Sequence, residues 1–335
     1  MPRTAIVILN YNGKKYLEKF LPGVIKYSQN CEIYVADNGS TDGSIDWLNN
    51  TSGIKIIKLG KNYGFSGGYN KALEQINSDY FILLNSDVEV TDQWTVPIIE
   101  TLEKSANIAA CQPKILDYTH RNKFEYAGAA GGYIDSFGYP FCRGRIFNHI
   151  EEDNLQFDDN RRIFWATGAC MGIKRNAFME VGGFDERFFA HMEEIDLCWR
   201  LNRMGLQIQY TSGSHVFHVG GGTLSRSNPR KTFLNFKNGL SMIYKNLPSS
   251  QLWWKLPVRI LLDVTAAFLF LTRGLFRDFI AVFKAHGSFL FELNYTHKKR
   301  KEYSAYRTKG LPIYKRLLPV EYFLKGKRRF EELNF

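Results

Sequence analysis

Several things are missing from this 335-residue chain. Its five cysteines, Cys31, Cys111, Cys142, Cys170 and Cys198, form no CxxC pair and are odd in number. That argues against a zinc ribbon or a disulfide framework and fits a reducing cytosol. There is no internal repeat, no low-complexity tract and no GxxxxGK[ST] loop. The turn after the first expected strand holds no GxGxxG. A P-loop nucleotidase and a dinucleotide enzyme are therefore disfavoured. No uninterrupted apolar run approaches the roughly 18–20 residues of a spanning helix. Met1 leads straight into Ile6-Val7-Ile8-Leu9, too short for a signal-peptide core, so no targeting segment is expected. Acidic residues are in deficit, leaving a net charge of +11. Such a charge implies an anionic partner: nucleic acid, an anionic membrane surface or a phosphorylated substrate. The basic residues concentrate in a tail beside apolar segments, with no RNA-binding motif, so no nucleic-acid partner is expected.

What is present centres on Phe81-Ile82-Leu83-Leu84-Asn85-Ser86-Asp87-Val88-Glu89-Val90. The apolar run reads as a strand buried on both faces. In an extended chain residues i and i+2 point the same way, so Asp87 and Glu89 are expected to aim two carboxylates past the strand end. Open α/β sheets bind ligands there, and paired oxygen anions suit Mg²⁺ or Mn²⁺.

Upstream, 5–9 reads as a strand ending in the turn Asn10-Tyr11-Asn12-Gly13. A helix over 14–27 follows, with a break or kink expected at Pro22. A second strand over 31–36 ends in Asp37, whose carboxylate suits a base N–H or ribose hydroxyls, or caps a tight turn. A third strand covers 54–59. The glycine-rich segment Asn62-Tyr63-Gly64-Phe65-Ser66-Gly67-Gly68 allows close backbone approach to a ligand and opens a helix over 67–76. Strand, helix, strand, with ligand-type turns after successive strands, is the pattern of a nucleotide-binding α/β half.

The middle, 112–162, reads as short strands and loops around a cleft. Trp165, Gly168 and Ala169 lie in a strand-like stretch whose small residues suit either the floor of a sugar pocket or close backbone packing. A helix over 175–181 stops at Gly182-Gly183. Glu193, Glu194 and Asp196 crowd the first turn of an amphipathic helix, where the helix dipole favours negative charge. Beside a sugar pocket the same three acids suggest a general base, each raising the pKa of the others. A strand over 207–210 precedes His218, a candidate third metal ligand. Arg226, Arg230, Lys231 and Lys237 then form a basic face or a phosphate clamp.

In this combination the chain resembles the family 2 glycosyltransferases with a GT-A fold, closest to the bacterial rhamnosyltransferase-like branch. The matching motifs run in order from Val7-Ile8-Leu9-Asn10-Tyr11-Asn12 through Asp37-Asn38-Gly39-Ser40-Thr41-Asp42, the 62–68 segment, Leu84-Asn85-Ser86-Asp87-Val88-Glu89, Gly182-Gly183-Phe184-Asp185-Glu186, Glu193-Glu194-Ile195-Asp196-Leu197 and His218. The resemblance implies a Rossmann-like nucleotide-binding half with a mixed central sheet. It implies an inverting, metal-dependent transfer of a hexosyl or deoxyhexosyl group from a dTDP-, UDP- or GDP-sugar to a glycan or polyprenyl-diphosphate-linked acceptor. Asp37 would bind the nucleotide base, with Asn10, Tyr11 and Asn12 lining its pocket and Asn62, Gly67, Gly68 and Ser86 on the donor. Asp87 and Glu89 would be the DxD-type site for Mg²⁺ or Mn²⁺, completed by His218. Glu194 would be the base, and Lys231, Lys237 and Asn238 would lie near the phosphates. The competing enzyme class is a nucleotidyltransferase acting on a sugar phosphate, but Asn10-Tyr11-Asn12-Gly13 is not its glycine- and arginine-rich loop.

The composition shifts after the catalytic segment, expected to span 1–240. Over 241–335 an apolar region is interrupted by Arg259, Asp263, Arg273, Arg277, Asp278 and Lys284, then a basic tail follows. This reads as amphipathic helices in a membrane interface, anchored by Trp253 and Trp254. The other reading is a helical hairpin packed on the catalytic domain or a homodimer contact. The expected place is the cytoplasm, peripheral on the inner face of the cell membrane.

Overall fold

The computed structural model describes residues 2–220, 228–306 and 310–335. Strand and helix alternate from the start: β1 (Thr4–Asn10), α1 (Lys14–Tyr27), β2 (Glu32–Asp37), α2 (Ser44–Asn49), β3 (Lys55–Lys58), α3 (Gly64–Leu73) and β4 (Tyr80–Asn85). The four strands pair in parallel in the order β3-β2-β1-β4. Their apolar runs divide with a period of two. Ile6, Ile8, Ile82 and Leu84 pack with Leu17, Leu21 and Val24 of α1 on one face. Val7, Phe81 and Leu83 pack with Tyr69, Ala72 and Leu73 of α3 on the other. Helices on both faces are what strands without a polar side require.

Next come β5 (Val88–Val90), α4 (Thr95–Glu103) and β6 (Ile108–Asp117). A small antiparallel sheet follows, made of β7 (Gly132–Ile134), β8 (Pro140–Cys142), β9 (Arg145–Ile146) and β10 (His149–Ile150). β11 (Arg161–Ile163), β12 (Cys170–Lys174), α5 (Arg175–Glu180), α6 (Glu193–Met204) and β13 (Gln207–His218) complete the main sheet. Its order is β11-β13-β6-β12-β4-β1-β2-β3, with β5 on β13. β12 runs antiparallel to both β4 and β6, and β13 runs parallel to β6, so the sheet is mixed. It follows that β1, β2, β4, β6 and β13 all end along one edge, which gathers Asn10, Asp37, Asn85, Asp117 and His218 there.

The chain closes with α7 (Pro229–Asn246), α8 (Ser249–Thr272), α9 (Phe276–Phe291) and α10 (Leu293–Glu302). α7 packs against the other three, and the expected division between 240 and 241 falls inside it. No helix among the described residues is long and apolar enough to cross a membrane.

Two local expectations need correction. α1 continues through Pro22. The hydrogen bond that proline forfeits would have gone to Glu18, and both residues face water, so solvent satisfies the freed carbonyl. The strand expected over 207–210 runs on to His218, with register shifts against β6 on the way.

Candidate active site

At the β1–β2 end of this edge, polar side chains bond one another. Asn10 donates through Nδ2 to Asp37 Oδ1 at 3.1 Å and to Ser40 Oγ at 3.0 Å. The amides of Gly39 and Ser40 donate to Asp37 Oδ2 at 3.1 and 3.0 Å. Asn12 sits at φ 52°, a conformation asparagine tolerates, and accepts from the Thr41 amide. Tyr11 is exposed beside them. Asn62 bonds Asn38, which the motif reading left without a role. Asn38 also accepts from the Tyr63 amide and donates to the Gly64 carbonyl, fixing the start of α3.

Gly67 and Gly68, expected on the donor, are closely packed where a side chain would stand. A Cβ on Gly68 would stand 2.8 Å from Leu9, and one on Gly67 3.1 Å from Tyr63. These glycines let α3 lie close against β1 and its own N-terminal loop.

The carboxylates of Asp87 and Glu89 do not converge. β4 stops at Asn85, the chain turns through Ser86 and Asp87, and pairing resumes in β5. The i, i+2 rule holds only within an unbroken extended run. Glu89 lies opposite Phe217 in the β5–β13 ladder and accepts from Arg121 Nη2 at 2.7 Å. It lines a separate cleft with Lys19, Phe20 and Tyr27. Asp87 instead meets His218, with Oδ1 and Nε2 3.2 Å apart. Asn85 Nδ2 stands 3.5 Å from the same nitrogen, so the converging pair is Asn85 and Asp87. On its other side, His218 Nδ1 is 3.5 Å from Glu125 Oε1. Glu125 was missed because no motif marks it.

Asp87, His218 and Glu125 are all buried. Burial opposes a charged imidazole, yet Asp87 and Glu125 outweigh it and push His218 up to about 10. Burial likewise favours a neutral Asp87, and the His218 charge overcomes this to hold it below the usual carboxylate range. Among the described residues no three His, Cys, Asp or Glu side chains stand together as a metal cage. The buried Asp87 carboxylate at the strand edge nonetheless fits a divalent cation, which would displace the proton from His218 Nε2 for that nitrogen to serve as a ligand.

Of the three acids of α6, Asp196 stands apart. Asp196 is fully buried and fully engaged, with Arg200 at 2.9 Å, Lys245 at 3.1 Å and Asn246 at 2.9 Å. It ties α6 to α7, and this removes it from the candidates for the base. Glu193 is buried, with its pKa well above the usual range because burial and the neighbouring Glu194 both disfavour its charge. Glu194 is partly exposed, yet its Oε2 is buried with no hydrogen-bond partner among the described residues. Burial pushes its pKa up to about 7. The Cys142 thiol, pushed up to about 11 chiefly by burial, also feels the charges of both Glu125 and Glu194.

The loop before Glu194 is strained. Phe189, His191 and Met192 all have φ between 59° and 70°, each a cost of about 1–3 kcal/mol for a side chain of that size. Asn238 holds the loop by donating to the carbonyls of Phe188, Ala190 and His191 at 2.8–2.9 Å. Lys237 donates to the Arg187 carbonyl at 3.0 Å and pairs with Glu292 at 3.0 Å. Both were expected beside phosphates; the structure commits them to positioning this loop. Lys231 is close enough to His191 to add to the burial that lowers its pKa to about 4. Arg226 lies outside the described residues.

The three expected pocket residues divide as well. Trp165 is in the core, donating to the Tyr133 carbonyl at 2.8 Å. Gly168 packs under Phe65, where a Cβ would come within 2.8 Å of the ring. The Ala169 carbonyl accepts from the Asn85 amide, so this stretch borders the strand end that carries Asp87.

A mixed sheet with polar and acidic side chains gathered where its parallel strands end is the arrangement in which open α/β folds bind ligands. Residues 5–182, more than half of the chain, match the profile of glycosyl transferase family 2, and the chain belongs to that family. It is similar to N-acetylglucosaminyl-diphospho-decaprenol L-rhamnosyltransferase of Mycobacterium tuberculosis, 24% identical, over 76% of this chain and 87% of that one. It is also similar to rhamnosyltransferase WbbL of Escherichia coli K12, 24% identical, over 64% of this chain and 82% of that one. The mannosyltransferase PcManGT from Pyrobaculum calidifontis, solved with GDP-Man and Mn²⁺, superposes with a TM-score of 0.53 at 14% identity, over 87% of this chain and 88% of that one. GalNAc-T7, solved with UDP, GalNAc and Mn²⁺, gives 0.57 at 16% identity, over 73% of this chain and 48% of that one. These two carry the fold. The chain is a glycosyltransferase.

Proposed function

We propose that this enzyme transfers a sugar, with inversion, from a nucleoside diphosphate to a hydroxyl of a polyprenyl-diphosphate-linked glycan. The setting is bacterial polysaccharide synthesis, with the enzyme working from the cytoplasm at the inner face of the membrane. The observation that carries the chemistry is Glu194. Among the described residues one of its oxygens is buried without a partner, as is one of Glu193's, and burial raises the Glu194 pKa to about 7. A general base needs that combination: ionised near pH 7, yet basic enough to take a hydroxyl proton.

The donor lies along the strand edge. Asp37 keeps lone pairs beyond the three donors it already binds, enough to accept a base N–H or a ribose hydroxyl. Asn10 and Asn12 hold that carboxylate's turn, and Tyr11 is free to cover the nucleoside. Ser86, Asn85 and Asp87 face the diphosphate, and the 168–169 backbone borders the sugar. Asp87 and His218 would hold Mg²⁺ or Mn²⁺, which when bound supplies positive charge against the departing diphosphate. Glu125, 3.5 Å from the other nitrogen of His218, supplies negative charge beside it. The acceptor oxygen approaches the sugar from the Glu194 side, opposite the diphosphate. Glu194 Oε2 takes its proton as the new bond forms, and no covalent enzyme intermediate is required. The names of the rhamnosyltransferase relatives support a deoxyhexose donor and a lipid-diphosphate acceptor.

Donor identity is tested by thermal shift with dTDP-, UDP- and GDP-sugars in Mn²⁺. One nucleotide is expected to raise the Tm by several degrees, since saturating ligand at about 100 times Kd adds roughly 2.7 kcal/mol. No shift with any of them would remove the donor-site assignment.

A further inference from the structure

The α8–α9 hairpin is packed inside out. Along α8 the side chains turned into the protein are Lys255, Arg259, Asp263 and Ala267, one per turn and three of them charged. Each charge is paid for. Lys255 donates to the Ser136 carbonyl at 2.7 Å and Arg259 to the Phe137 carbonyl at 3.0 Å and to Asp263 at 2.8 Å. The Arg259 guanidinium also lies 3.8 Å over the Tyr139 ring. The outward side is apolar. Trp253 is 75% exposed and Leu261 65%, with Phe268 and Leu269 exposed beyond them. On α9, Phe276, Phe283 and Leu290 are exposed, and Phe291 is 91% exposed. A helix facing water turns its apolar stripe inward, so a contiguous apolar face of this kind marks a surface that something covers.

Charge identifies the cover. The two acids of the hairpin, Asp263 and Asp278, are buried. The exposed charged side chains over 249–291 are Arg273, Arg277 and Lys284, all basic. A second copy of a chain with net charge +11 would set like charge against like. An anionic bilayer accepts every component: apolar side chains at the acyl boundary, tryptophan at headgroup level, arginine and lysine at the phosphates. The hairpin is also anchored to the catalytic loop. Thr232 Oγ1 donates to Asp278 Oδ1 at 2.5 Å, joining the first turns of α7 and α9. From that same turn of α7, the Arg230 guanidinium reaches to 5.0 Å over the Phe189 ring, in the strained loop before Glu194.

We propose that the apolar face of α8–α9 docks on an anionic lipid bilayer and thereby presents the Glu194 loop to an acceptor held in that bilayer. Docking stands on the hairpin alone, whereas its bearing on the acceptor rests on the function proposed above. The test is co-sedimentation of the full chain with phosphatidylcholine vesicles, with and without about 30% phosphatidylglycerol. The protein is expected to pellet with the anionic vesicles and to be released by about 0.5 M salt only in part. Leu261→Ser with Phe268→Ser should cut partitioning at least about tenfold, and Arg273→Glu with Arg277→Glu at least about fivefold. Both double variants should keep the wild-type Tm and donor hydrolysis in solution. Failure of the wild type to pellet, or equal pelleting by both double variants, overturns docking. So does a dimer that Leu261→Ser with Phe268→Ser splits without changing lipid binding. Vesicle binding by a protein that transfers no sugar would uphold docking while removing the proposed chemistry.

Discussion

Glu194→Gln is expected to lower sugar transfer on the order of 10³-fold while leaving donor affinity within about twofold, as general bases typically contribute 10²–10⁴. Gln keeps the size and the hydrogen-bonding reach of the side chain but cannot take a proton. The proposed donor groups are at the strand edge, so the loss should fall on kcat. The pH profile checks the same assignment. Burial raises the Glu194 pKa to about 7, so the carboxyl is protonated below that pH and ionised above it. Transfer should therefore fall about tenfold per pH unit below neutrality and level off above it. Full turnover by the Gln variant would take the role away from Glu194. Glu193 is then the next carboxylate, since Asp196 is tied up by Arg200, Lys245 and Asn246.

The second large effect belongs to Asp87. Asp87→Ala should reduce transfer roughly 10²–10³-fold, the size expected when one group stabilising a developing charge is removed. It should also abolish the part of nucleoside-diphosphate binding that depends on Mn²⁺, read by calorimetry in metal and in EDTA. Glu89→Gln is the matched control. Its carboxylate pairs with Arg121, which lies over the Phe217 ring, rather than with His218, so activity should stay within about threefold. A Glu89 variant as damaged as the Asp87 variant would restore the pairing that the turn at Ser86 and Asp87 argues against.

Much of this was legible before the structure. β1, β2 and β4 are short, unbroken apolar runs, which only a doubly covered strand needs, and their polar ends pointed to one binding edge. β6 was not recognised. Gln112, Pro113 and Lys114 interrupt its pattern, and their partners lie far away in sequence. Gln112 accepts from the Thr167 amide, and Lys114 pairs with Asp153 and Asp158. Local periodicity cannot register polar groups satisfied over such distances. Glu125 escaped for the same reason: its role comes from β6 and β13 lying side by side, which brings His218 to it. The pairing of Asp87 with Glu89 failed because two turn residues break the strand that the i, i+2 rule assumes. Lys237 and Asn238 were expected near phosphates, but the strained loop before Glu194 consumes their hydrogen bonds. The basic tail pointed to a membrane. The buried Lys255–Arg259–Asp263 ladder, which turns the apolar side of α8 outward, took the fold to reveal.

The most direct test of the central claim is the identity of the phosphate product. The enzyme is incubated with Mn²⁺, the nucleotide sugar that stabilises it and a polyprenyl-diphosphate-linked N-acetylglucosamine acceptor in anionic vesicles. The account predicts release of one nucleoside diphosphate per sugar transferred, dependent on acceptor, with inverted anomeric configuration in the product and on the order of 10³-fold slower release by Glu194→Gln. Release of pyrophosphate from a nucleoside triphosphate and a sugar phosphate, or transfer with retention through a covalent enzyme intermediate, would contradict it.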